Sequence, residues 1–115
     1  MAEARTLFQR IADGDIPADI VYDDEECIAL RDINPQAPTH ILIVPRKPIP
    51  SLDDLSAGDE KTVGHLFTVA KELAAREQLT EGYRTVINCG PAAGQSVDHI
   101  HLHLIGGRKM GWPPG

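Results

Sequence analysis

Residues 99–105 read HIHLHLI, three histidines at every second position with apolar residues between and after them. A β-strand has a side-chain period of two, so His99, His101 and His103 fall on one face and Ile100, Leu102 and Leu104 on the other. On a helix the same three histidines would fan around the axis. A strand therefore serves both halves of the pattern: the aliphatic face packs into a core while the imidazoles line a surface or cleft, roughly 6.5–7 Å apart. That spacing suits groups arrayed along a bound ligand better than three ligands converging on one ion.

The rest of the chain supplies a sheet for this strand to join. In ARTLFQRIADGDIP, Leu7, Phe8 and Ile11 recur at helical spacing, with Thr6 as N-cap and Gly14 as stop. Residues 20–22 and 27–30 are β-like runs on either side of an acidic DDEE segment, which reads as the solvated turn of a hairpin. NPQAPTH opposes regular pairing and reads as a loop, whereas HILIVP is an apolar strand ending at Pro45. RKPIPSLDDLSAGDEKT reads as a surface connection with a short helical turn. From 59 to 76, Val63, Leu66, Phe67, Ala70, Leu73 and Ala74 recur at threes and fours, which predicts one long amphipathic helix capped by Ser56 or Asp59. GYRTVINCG is a strand, GPAAGQS a loop, and the tail GGRKMGWPPG too rich in glycine and proline for a regular element. Helix, hairpin, strand, helix, strand, strand, with short links, predicts an α+β fold: an antiparallel sheet in one domain spanning residues 1–115, with the helices on one side.

Charge narrows the partners. Eleven basic against seventeen acidic residues leave a formal charge of −6, which argues against binding nucleic acid or a membrane surface. A small phosphate can still be held by local backbone amides. No apolar run reaches the length of a membrane span and residues 1–15 lack the apolar centre of a signal peptide, so a cytoplasmic protein is expected. Cys27 and Cys89 form no CxxC pair and read as reduced thiols, not as a disulfide framework or zinc finger.

Three imidazoles on one strand face must be hydrated or partnered, and two chemistries use them. One is a metal site, since imidazole is the commonest transition-metal ligand; Asp98 or His40 would then complete the ligand set. The other is a catalytic cluster. In the preceding loop, NCGPAAGQS, Gly90 and Gly94 let backbone N–H groups approach an anion and Ser96 adds a donor. It is not a P-loop, because no Lys follows the glycines and a strand comes next. Set before the histidines, it suggests a phosphate held over imidazole nitrogens, one of which attacks phosphorus.

HIHLHLI matches the His-φ-His-φ-His-φ-φ pattern of the histidine triad superfamily, φ being hydrophobic, at every position. DGDIPADIVYDDEECIALRDINPQAPTHILIVPRK, GYRTVIN, GQS and GGRKMGWPPG extend the likeness along almost the whole chain, and the terminal WPPG resembles the Hint branch, the histidine triad nucleotide-binding proteins. The resemblance implies a five-stranded antiparallel sheet with one long and one short helix, and a homodimer whose two sheets join. It implies a purine nucleoside phosphoramidase with no cofactor, acting on conjugates of AMP. His101 would be the nucleophile, His99 would orient it, His103 would hydrogen-bond the α-phosphate, and His40 would stand beside the triad. Asn88, Gly94 and Ser96 would contact phosphate or leaving group, with Gln95 in the same nucleotide-binding loop. Asp32 would bind the ribose, and Ile33, Phe8 and Ile11 would line the nucleoside pocket. Leu30 occupies a position where relatives often carry an aromatic residue against the base. Trp112 would lie near the partner's active site. Cys89 and Asp98 also depart from the usual residues, which are acidic or small after Asn88 and aromatic before the triad.

Without the resemblance several of these residues read more simply. Asp32 caps a turn, His40 is a satisfied structural histidine, Phe8, Ile11 and Leu30 are core, and His65 is a surface or interface residue. Trp112 has no intrachain core to join and suits a partner's apolar surface. Three alternatives stand beside the phosphoramidase: a triad hydrolase of another nucleotide such as a dinucleoside polyphosphate, a nucleotide-binding adaptor, and a metal-dependent hydrolase.

Overall fold

The computed structural model describes residues 4–115. Helix α1 spans Leu7–Ala12 and starts at a reciprocal cap: the Thr6 hydroxyl accepts from the Gln9 amide at 3.1 Å while the Gln9 side chain accepts from the Thr6 amide at 2.9 Å. Gly14, at φ +83°, turns the chain out of the helix. Strands β1 (Ile20–Asp23) and β2 (Cys27–Arg31) form the expected hairpin. Its turn is not simply solvated, however. Asp24 accepts from the amides of Glu26 and Cys27 at 2.7 and 2.8 Å and folds the acidic segment around its own carboxylate.

Strand β3 (Thr39–Pro45) is buried along its length because both faces are covered. Ile41 and Ile43 point to the long helix α2 (Glu60–Arg76), and Leu42 and Val44 to Phe8 and Ile11 of α1. Helices therefore lie on both sides of the sheet, against the one-sided expectation, and the continuous apolar run of HILIVP is the mark of a strand buried twice. Strands β4 (Tyr83–Val86) and β5 (Leu102–Gly106) complete a five-stranded sheet of order β1-β2-β3-β5-β4, antiparallel at every pairing.

Two expectations are corrected here. On α2 the inward stripe is Leu66, Val69, Ala70, Leu73 and Ala74, so Phe67 falls off the packed face and is exposed. The regular strand also begins at Leu102, leaving His99 and His101 in an extended approach to it. In the β3–β5 register Ile43 faces Leu102, and two residues further along β3 stands Pro45, which has no N–H to donate. The amide of Ile100 turns instead to the carbonyl of Ile49, at 2.8 Å.

Candidate active site

The alternation expected of HIHLHLI survives the shortened strand. Leu102 and Leu104 enter the core under α2, while the histidines turn to the face covered by α1. That cover also buries them: His99 is 1% exposed and His101 7%, with His103 half-buried, so the rings are packed beneath α1 and not spread on an open surface. The rings make a row. Phe8 stands edge-on to His99 with centroids 5.6 Å apart and 5.0 Å from His101; His101 and His103 are 5.0 Å apart, and His103 and His40 5.2 Å. The His101–His103 spacing is closer than an ideal strand gives, His101 standing just before the regular strand begins.

Hydrogen bonds fix which nitrogen carries each proton. The amide of Gln36 donates to Nδ1 of His40 at 3.1 Å, so the His40 proton sits on Nε2. Nε2 then donates to Nδ1 of His103 at 2.9 Å, which places the proton of His103 on its own Nε2. That atom is buried and has no hydrogen-bond partner among the described residues. At His101 the arrangement is reversed. Nδ1 lies 2.8 Å from the backbone carbonyl of His99, which only accepts, so Nδ1 carries the proton and the neutral ring keeps its lone pair on Nε2. A free lone pair thus stands beside an unpartnered N–H donor.

His99 has no nitrogen left over. Nε2 donates to the carbonyl of Pro45 at 2.6 Å, and Nδ1 accepts from the Thr6 hydroxyl at 2.7 Å. It positions His101 through its backbone carbonyl, while Phe8 packs against both rings. Burial lowers the pKa of His99 against the raising effect of Pro45, and lowers that of His40 against the nearby Asp32 carboxylate. For His103 burial comes first, and the imidazoles of His101 and His40 add to it, so its pKa falls to about 4.

Asp32 does two things at once. Oδ1 accepts from the Asn34 amide at 2.8 Å, the turn cap read from the sequence, while Oδ2 lies 3.4 Å from Nε2 of His40. Asp32, His40 and His103 present ligand atoms within 4.8 Å of one another, a grouping with the donor chemistry of a transition-metal site. Neither His99, His101 nor Asp98 belongs to that group.

The remaining expected residues are placed less uniformly. Val86 pairs with His103 across β4 and β5, so the loop carrying Asn88, Gly94, Gln95 and Ser96 leaves the sheet at the level of the triad. Gly94 takes the left-handed conformation at φ +95°, and a Cβ there would lie 3.8 Å from Nδ2 of Asn88. Gln95 is spent on the loop itself: its oxygen accepts from the Gly90 amide, and its nitrogen donates to the carbonyls of Pro50 and Val97. Ser96 is exposed. Phe8, Ile11 and Leu30 are core residues in one cluster, whereas Ile33 is 98% exposed, so the single chain does not close these four into a pocket. Trp112 is 85% exposed. A concavity of about 770 Å³ lies elsewhere, lined by residues 78–84 and 107–110. Sequence reading missed two partners, the Thr6 hydroxyl for His99 and the Gln36 amide for His40. The first was visible only as a helix cap.

The HIT domain model matches residues 13–110, nearly the whole chain and all of the histidine row. The chain belongs to the HIT domain family. A 14 kDa zinc-binding protein of Zea mays is 52% identical over 116 residues, covering 98% of this chain and 90% of the maize protein. A HIT family hydrolase from Legionella pneumophila superposes with a TM-score of 0.93 at 50% identity, covering 96% of this chain and all of that one. The histidine triad nucleotide-binding protein of Candida albicans superposes with a TM-score of 0.80 at 28% identity, covering 96% and 85%. The five-stranded antiparallel sheet with its long helix is thus the HIT fold, and its neighbours include hydrolases. Among the described residues no helix is long and apolar enough to cross a membrane.

Proposed function

We propose that this HIT protein hydrolyses nucleoside 5′-phosphoramidates, releasing a nucleoside monophosphate, AMP in the first instance, and an amine. The reading rests on the pairing of His101 Nε2, a lone pair without a partner among the described residues, with the unpartnered Nε2–H of His103. Nε2 of His101 attacks the α-phosphorus, the P–N bond breaks, and the leaving nitrogen departs as the amine after taking a proton from solvent, which the water of the second step gives back. Positive charge that develops on the imidazole is spread toward Nδ1–H and the His99 carbonyl. The Nε2–H of His103 and the side chains of Asn88 and Ser96 stabilise the charge on the phosphoryl oxygens, since the amides of Gly90, Ala93 and Gly94 are held by bonds within their own loop. Water then cleaves the nucleotidyl-histidine and restores the lone pair.

In this scheme Asp32 contacts the ribose, Asn88, Gly94 and Ser96 meet the phosphate or leaving group, and Ile33 meets the nucleoside. Joining two sheets at an exposed edge in a homodimer would give Phe67, Tyr83 and Trp112, all exposed in one chain, an apolar partner. The test is turnover of an adenosine phosphoramidate by wild type and His101→Ala, with mass spectrometry of quenched wild type for a nucleotidyl adduct. The expected result is an adduct on His101 and a loss of about a hundredfold or more in the variant. Full activity in His101→Ala removes the proposal. Faster turnover of a diadenosine polyphosphate would move the substrate to another nucleotide conjugate, and tight AMP binding without turnover would favour an adaptor.

A metal reading has its own support in the name of the maize relative and in the Asp32–His40–His103 grouping. It predicts that a chelator abolishes turnover and that the ion restores it. In the phosphoramidase scheme the chelator leaves the rate unchanged.

A further inference from the structure

The acidic hairpin turn and the long helix meet at a second cluster, apart from the triad. Asp24, Cys27 and His65 present one carboxylate oxygen, one thiol sulfur and one imidazole nitrogen, all within 4.8 Å of one another. The three come from different parts of the fold: Asp24 from the β1–β2 turn, Cys27 from the first position of β2, and His65 from the second turn of α2. Nε2 of His65 lies 2.7 Å from Oδ2 of Asp24, and on the far side of the same ring Nδ1 faces Oε2 of Glu26 at 3.8 Å. Cys27 is fully buried, whereas the side chains of Asp24 and His65 are 26% and 29% exposed, so the cluster has a closed floor and a side open to water.

We propose that Asp24, Cys27 and His65 form a binding site for a thiophilic divalent transition ion of the zinc class. Thiolate, imidazole and carboxylate are three of the ligand types such an ion selects, and water from the open side completes a tetrahedron. Glu26 faces the outer nitrogen of the ligating imidazole at 3.8 Å, on the side where a carboxylate commonly fixes a metal-bound histidine. The protons balance. The Nε2 proton of His65 is exchanged for one on Nδ1, toward Glu26, and the thiol of Cys27 loses its own to solvent, so binding releases one proton per ion. Without an ion the thiol stays protonated, since burial first and the carboxylate of Asp24 next push Cys27 up to about 12. The same negative surroundings attract a dication, whose charge reverses that preference. Bound there, the ion ties the hairpin to α2 behind the sheet.

Cobalt(II) is the probe, because thiolate ligation gives a near-ultraviolet charge-transfer band that the histidine row, which contains no cysteine, cannot produce. Wild type titrated with cobalt(II) under reducing conditions is expected to develop the band and saturate at one ion per chain. Cys89→Ser should keep the band and Cys27→Ser should lose it. His65→Asn, at a partly exposed position that leaves the core intact, should weaken binding at least about tenfold even if the buried Cys27 variant does not fold. No band in wild type, a band that survives in folded Cys27→Ser, or unchanged affinity in His65→Asn would each overturn the site.

Discussion

Nε2 of His40 lies 2.9 Å from Nδ1 of His103, and the amide of Gln36 on the far side of His40 decides that the proton between them belongs to His40. A backbone donor thereby sets the tautomer of a ring it does not touch. His103 is left with its hydrogen on Nε2, the atom that the proposed scheme aims at a phosphoryl oxygen.

The first prediction follows from this relay. In His40→Ala the donor to Nδ1 of His103 is gone, both tautomers of His103 become accessible, and the Nε2–H is no longer held ready. Loss of tautomer control at a catalytic imidazole is costly, so kcat/KM for an adenosine phosphoramidate should fall by about tenfold or more. Nitrogen NMR of the histidine rings should show His103 shifting from the Nε2–H form to a mixture. An unchanged rate and an unchanged His103 spectrum would separate His40 from the triad.

Much of this was legible in the chain, for identifiable reasons. The period-two alternation of HIHLHLI and the three-and-four spacing on α2 are local, and each places its residues whichever neighbours it meets. What was not legible depends on residues far apart in sequence. The partner of His99 is Thr6, 93 positions away, and nothing in either segment announces the other. The strand was expected to include His99 and His101, but its start is set by Pro45 on the opposing strand. Phe67 fits the helical period as well as Val69 does, and only the direction of the sheet beneath α2 decides between them. Ile33 reads as a pocket residue by resemblance yet projects into solvent in the single chain. The acidic turn looked solvated because composition cannot show that one of its carboxylates collects two amides, a hydroxyl and an imidazole.

Acid should loosen the fold before any carboxylate is neutralised. His40, His99 and His103 titrate below 6.5 in the folded protein, His103 at about 4, while in the unfolded chain each titrates near 6.5. Between these values the unfolded state binds more protons, so stability is fully present above about pH 6.5 and is lost as the pH falls toward 4. Asp24 and Glu77, whose pKa values are lowered, keep their full contribution above their ordinary values of 3.8 and 4.5 and lose it only as the pH falls below them. The urea midpoint should therefore drop between pH 7 and pH 5, by the equivalent of a few kcal/mol. A midpoint that stays flat over that interval would mean the rings are solvated in solution.

Thr6 links the helix cap to the histidine row through one hydroxyl, which accepts from Gln9 and donates to His99. Thr6→Val keeps the shape and removes both bonds, leaving a buried imidazole nitrogen unsatisfied. The expected cost is about 1–2 kcal/mol, or roughly 5 °C per kcal/mol in Tm for a domain of this size. Because His99 holds His101 by its carbonyl and not its ring, kcat should fall less than threefold at temperatures where the variant is folded. A large loss of kcat with little change in Tm would show instead that the His99 ring steers the nucleophile.

Gly94 tests the loop that the proposal assigns to phosphate. At φ +95° the residue sits where an L side chain is strained, and its Cα faces the Asn88 amide. Gly94→Ala costs about 1 kcal/mol for the left-handed conformation alone. The chain relieves this by rotating the 90–94 segment, which would shift the neighbouring Asn88 side chain from its place. Since Asn88 is assigned to the phosphate in the proposed scheme, kcat should fall about tenfold or more with a smaller change in KM. A variant that loses stability but keeps kcat would free the loop from any part in the chemistry and leave charge stabilisation to His103.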